Sequence, residues 1–122
     1  MKVYQMNDYE FWVSPWDKRR TLDYYLEYME IDEKDNPIES IRECDIDKEG
    51  VWFETEDKAD IERLGESDEI LHYKKTNQGL IIKPEFGDLM KKNDVMYKYI
   101  SFREAIEKIG EYNEPYCIVS TY

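Results

Sequence analysis

Between residues 45 and 56 the chain reads Asp45-Ile46-Asp47-Lys48-Glu49-Gly50-Val51-Trp52-Phe53-Glu54-Thr55-Glu56. Carboxylates on alternate residues, a glycine in the sixth place and a glutamate in the twelfth set hard oxygen ligands around a tight turn, which is chemistry suited to calcium. Asp45, Asp47, Glu49 and Glu56 are the candidate ligands. Softer metals and proton-transfer chemistry have less to build on. His72 is the one histidine, and Cys44 and Cys117 stand far apart without a Cys-x-x-Cys spacing, so both read as free thiols. The glycines at 50, 65, 79, 87 and 110 are isolated and make no phosphate-cradling pattern. Among 29 Asp and Glu a carboxylate pair for acid-base work can be drawn almost anywhere, so no catalytic residue is assigned. No organic cofactor is expected.

Residues 45–56 resemble the calcium loop of EF-hand proteins, D-x-[DN]-x-[DN]-G-x5-E, with Glu49 where that pattern has Asp or Asn. An EF-hand loop needs a helix on either side to hold its ligands. Here Pro37 interrupts any long incoming helix and Val51-Trp52-Phe53 favours a strand, so an acidic β-hairpin turn accounts for the same residues. In that turn Gly50 supplies a positive φ.

The surrounding elements follow from periodicity and punctuation. Val3 to Met6 and Tyr9 to Val13 read as two short strands about Asn7-Asp8. Ser14-Pro15-Trp16-Asp17 offers a cap, a proline and an acid for a helix over about 15–30, whose Leu22, Tyr25, Leu26 and Met29 form one apolar stripe. Tyr24 and Tyr28 flank that stripe, either packing at its edge or offering a contact surface to a partner. Ile41 to Ile46 and Val51 to Thr55 read as a strand pair, 57–64 as a short acidic helix closed by Gly65, and Ile70 to Lys75 with Leu80 to Lys83 as a hairpin. Val95 to Ile100 is a strand. Ser101-Phe102-Arg103-Glu104 is a capping box opening a helix over 101–109, and Tyr116 to Tyr122 is a closing strand. The sum is an α+β fold with a mainly antiparallel sheet of short strands and two principal helices, in one domain.

The net charge of -12 is unevenly spread. Residues 21–70 hold 19 Asp and Glu against 5 Lys and Arg, and the remainder is close to neutral, with basic pairs at Lys74-Lys75 and Lys91-Lys92. A field of this sign repels nucleic acid and attracts basic protein surfaces. Apolar residues reach 41% and include 11 tyrosines, so the acidity is not that of a disordered chain. No apolar run approaches the roughly 20 residues of a membrane span. Met1-Lys2-Val3-Tyr4-Gln5 lacks the basic start and apolar stretch of a secretory signal, and a cytoplasmic location is expected.

Lys2-Val3-Tyr4 with Glu10-Phe11-Trp12-Val13, the segment Asp45 to Trp52, Val95-Met96-Tyr97-Lys98-Tyr99-Ile100-Ser101-Phe102-Arg103-Glu104-Ala105 and Pro115 to Tyr122 resemble small acidic proteins of bacteriophages and prophages of Gram-positive bacteria. That group has no assigned activity, so the resemblance implies a setting and gives no residue a catalytic role. It favours an accessory protein that binds a host or phage protein, including a nucleic-acid mimic or an inhibitor of host defences. Two function classes therefore stand. One is a non-enzymatic protein-binding module acting through the acidic segment, with Tyr24, Tyr28, Asp57 and Asp60 as contact residues. The other is a small ligand-binding or enzymatic domain with an aromatic-lined pocket, or a cation-binding module. The plain alternative for the acidity itself is solubility.

Overall fold

The computed structural model describes residues 1–119, with the side chains of all but Tyr73, Lys74, Thr76, Leu80, Ile81, Ile82 and Val119. In chain order the elements are β1 (Lys2–Gln5), β2 (Glu10–Ser14), α1 (Lys18–Met29), β3 (Arg42–Glu43), β4 (Gly50–Glu54), α2 (Lys58–Leu64), β5 (Glu69–Ile70), β6 (Tyr73–Thr76), β7 (Gly79–Ile82), β8 (Leu89–Lys92), β9 (Val95–Ser101), α3 (Phe102–Ile109) and β10 (Tyr116–Val119). Among the described residues every strand pairing is antiparallel, and the fold is α+β as the pattern of elements predicts. The chain divides into two compact units, residues 1–49 with 102–122, and residues 50–101. No helix among the described residues is long and apolar enough to cross a membrane.

In the first unit the strands lie in the order β10-β2-β1-β3. Alternation along β1 and β2 sends Tyr4 and Trp12 to one face, where they bury with Met6, Leu22, Tyr25 and Ile41. Phe11 points to the other face, and its ring meets Phe102 of α3 at 5.2 Å between centroids. The first principal helix begins later than its sequence signals suggest. Ser14 still belongs to β2, paired with Lys2, and Asp17 is the cap, its carboxylate accepting from the Arg20 amide at 2.9 Å. The buried Ser14 hydroxyl accepts from the Trp16 amide and lies 2.7 Å from Thr21 Oγ1, which donates to the Asp17 carbonyl. Because Thr21 donates there, Ser14 donates to Thr21 and the buried relay is complete. At the other end Glu30 turns left-handed at φ 56° and the Ile31 amide reaches back to Leu26, a polar residue in a place usually given to glycine.

In the second unit the order is β4-β9-β8-β5, with β6 and β7 forming a separate hairpin joined by the two residues Asn77-Gln78. Trp52 on β4 packs its ring against Tyr99 on β9, and Phe86 stacks on the same tyrosine. The segment β8 was not expected as a strand. It turns into β9 through Asn93 and Asp94, both at positive φ, the geometry of a two-residue primed turn.

The expected pairing of 41–46 with 51–55 does not form. β3 pairs with β1 and Cys44 donates its amide to Val3, whereas β4 pairs with β9 along all five residues. The burial of Ile41 and Cys44 holds one segment in the first unit, and the Val51 and Trp52 side chains hold the other in the second. Gly50 accordingly lies at the start of β4 and does not take a positive φ. The closing strand is described to Val119, and residues 120–122 of that expectation lie outside the described residues.

Candidate functional site

Three of the four predicted calcium ligands share one turn. Asp45 Oδ1 accepts from the amides of Asp47 and Lys48, and Glu49 Oε2 accepts from the Asp45 amide at 2.6 Å. Two arginines also stand at this turn. Arg42 pairs with Glu49 at 2.6 Å, and Arg103 grips both oxygens of Asp47, which holds that carboxyl below the usual aspartate range. The turn's carbonyls have a task of their own: Ile46 and Glu49 accept from the Arg103 and Phe102 amides, which satisfies two of the exposed donors at the start of α3. Glu56 belongs to the second unit, in the loop that leads into α2. Among the described residues no group of three or more His, Cys, Asp or Glu is disposed to hold a metal ion.

Asp57 and Asp60, singled out as contact residues, serve α2. Asp57 is its N-cap and accepts from the Ala59 amide at 2.8 Å. Asp60 is buried, with Oδ2 accepting from the Thr55 hydroxyl and Oδ1 3.3 Å from Lys98 Nζ, so its charge is matched.

The tyrosines of α1 form a different kind of surface. Trp12 stands at the centre, with the rings of Tyr24, Tyr25 and Tyr28 edge-on to it at 6.3, 5.5 and 5.5 Å. Tyr24 also meets Trp16, over which the Arg20 guanidinium lies at 4.0 Å. Tyr24 is half-buried, whereas Tyr28 touches Trp12 and remains 67% exposed. Met29 beside it is 39% exposed, and Tyr9 is 68% exposed in the turn whose Asn7 amide donates to the Tyr25 hydroxyl. Around this helix end the carboxylates fall into two sets. Asp23 and Glu33 both pair with Arg19, which lowers the Glu33 carboxyl below its ordinary range. Glu27, Glu30, Asp32 and Asp35 are exposed, and among the described residues none of them has a cation partner.

One side-chain cluster gave no signal in the sequence. Asp88, wholly buried in the second unit, places Oδ1 2.6 Å from His72 Nδ1, and its Oδ2 accepts from the His72 and Glu85 amides at 3.0 and 2.9 Å. The other ring nitrogen, Nε2, lies 3.4 Å from the Glu85 carboxylate. The arrangement orients an imidazole, but what faces its Nε2 is a carboxylate and not a hydroxyl or thiol from which it could take a proton. Sixteen residues separate the pair, so no local spacing announces it.

Two cavities are lined by described residues. One of about 400 Å³ in the first unit is lined by Met1, Lys2, Glu43, Cys44, Asp45 and Ile46. The other, of about 300 Å³, lies in the second unit beside α2, and neither is lined by an aromatic ring. No protein family matches the chain, and no curated protein or solved structure matches it at a significant level.

Proposed function

We propose that the chain is a non-enzymatic, cytoplasmic accessory protein of the phage type that binds a basic surface on another protein through the C-terminal end of α1. One observation carries this reading: Tyr28 and Met29 stand exposed on a stretch that also carries Glu27, Glu30, Asp32 and Asp35, carboxylates without a cation partner among the described residues, while Glu49 and Asp47 of the 45–49 turn are held by Arg42 and Arg103. Unpaired carboxylates steer a basic partner, and an exposed tyrosine anchored on Trp12 gives contact area at little cost in side-chain entropy. A surface of this kind resembles in charge the phosphate backbone that nucleic-acid-binding proteins recognise, which agrees with a mimic or a host-defence inhibitor.

The test is capture from host lysate with wild-type protein and with a Glu27→Lys, Tyr28→Ala, Glu30→Lys variant. A partner retained at low salt, released as salt rises and lost by the variant supports the reading. A partner held equally by both proteins, or no partner at low salt, overturns it.

A further inference from the structure

The cavity of the second unit is a groove between α2 and the turn that joins β8 to β9. Its apolar wall is made by Ile61 and Leu64 from the helix and by Val95 and Met96 from β9. Ile61 is 52% exposed, a large aliphatic side chain that this unit leaves without cover. The charged groups on the groove are the carboxylates of Glu54, Glu56 and Asp94 and the ammonium of Lys91. Among the described residues the three carboxylates have no ion-pair partner, unlike neighbouring Asp60, which is matched by Lys98 and Thr55. The walls are held in place from both sides. The Thr55 amide donates to the Met96 carbonyl at 2.9 Å, and the positive-φ pair Asn93-Asp94 fixes the turn. A groove held in this way loses little freedom when it is filled.

We infer that this groove receives an aliphatic side chain of a partner protein segment that carries Lys or Arg on either side of that anchor. The size of about 300 Å³ is at the small end for binding pockets and suits one or two aliphatic side chains better than a cofactor. The three carboxylates select against an acidic segment and against nucleic acid by like charge, and they attract a cation placed next to the anchor. The inference shares the protein-binding reading proposed above but uses other residues in the other unit, so each stands or falls on its own variants.

The test uses the full chain with isotope-labelled methyl groups and two capped four-residue peptides, one with two leucines between two arginines and one with two leucines between two glutamates. The arginine peptide is expected to shift the methyl signals of Ile61, Leu64, Val95 and Met96, and to bind at least about tenfold more tightly than the glutamate peptide. The variant Glu54→Gln, Glu56→Gln is expected to weaken the arginine peptide about three- to tenfold, and Ile61→Ser to abolish the shifts while the rest of the spectrum keeps its folded dispersion. Equal binding of the two peptides overturns the inference, as does a saturating arginine peptide that leaves the groove methyl groups unmoved. Shifts confined to the Met29 methyl also overturn it, and would leave the α1 surface standing.

Discussion

Gly50 and Ile100 approach so closely that a Cβ on the glycine would stand 2.1 Å from the Ile100 carbonyl oxygen and 2.8 Å from Cε1 of Phe86. The obstacle is backbone within the β4–β9 ladder, where Val51 pairs with Ile100, so it cannot swing aside without breaking that ladder. Gly50→Ala is therefore expected to destabilise the second unit by at least about 2 kcal/mol, read as a lower urea midpoint. A wild-type midpoint would show that β4 does not lie this close to β9.

The same glycine shows where sequence reasoning reaches and where it stops. Local signals were legible: Asp57 and Gly65 bound α2 as expected, and Phe102, Ala105 and Ile106 of the α3 stripe are buried. On α1, Leu22 and Tyr25 are buried, but Met29 is not, because Glu30 turns the chain just past it. Strand partners were not legible, since β propensity says that a segment is extended and not which strand it joins. The hairpin expected about Gly50 looked complete locally, yet its two halves bond to β1 and β9. β8 escaped because Leu89-Met90-Lys91-Lys92 does not alternate, although Asn93-Asp94 is good primed-turn chemistry. At the proposed contact surface Tyr28 was visible as a flanking aromatic. Which carboxylates are neutralised depends on Arg19, Arg42 and Arg103 folding back on distant acids.

Asp88 ties the chain at His72 to its own 85–88 turn through one buried carboxylate. Asp88→Ala would leave the His72 and Glu85 amides without an acceptor and free the imidazole, at an expected cost of about 2–4 kcal/mol. Glu85→Gln, at a side chain 65% exposed, is expected to change stability by less than about 0.5 kcal/mol. Comparable losses in denaturant titrations of the two variants would show that Asp88 is not the residue holding these segments.

Alkaline pH is expected to weaken the first unit. Burial, aided by nearby Glu49, pushes the Cys44 thiol from 9.0 up to about 11, and burial with nearby Glu43 and Asp17 pushes the Tyr4 hydroxyl from 10.0 to about 12. Both groups hold their protons more tightly folded than unfolded. Their contribution is thus complete below pH 9 and is lost as pH rises through 11 and 12. The unfolding free energy should be flat between pH 7 and 8.5 and fall steadily above about pH 9, and less steeply in Cys44→Ala. A profile unaltered by that substitution would remove Cys44 from the account.

The edge strand β10 closes the sheet of the first unit, and its loss should cost that unit its cooperative fold. Tyr116, Cys117, Ile118 and Val119 pair with Val13, Trp12, Phe11 and Glu10, so β2 would lose a whole ladder of hydrogen bonds. Ile118, buried opposite Phe11, and the buried Pro115 place apolar contacts at the same edge. The Tyr116 hydroxyl donates to the Gly110 carbonyl just past α3, and its ring meets Tyr112, so the strand also fixes the end of that helix. Exposing β2 would uncover Phe11 and with it the Phe102 ring that seats α3 on the sheet. Removal of residues 116–122 is expected to abolish the sigmoidal melt and the fixed aromatic circular dichroism of Trp12. A truncated chain that still melts cooperatively near the wild-type temperature would show that α1 and α3 can hold β1 and β2 without this strand.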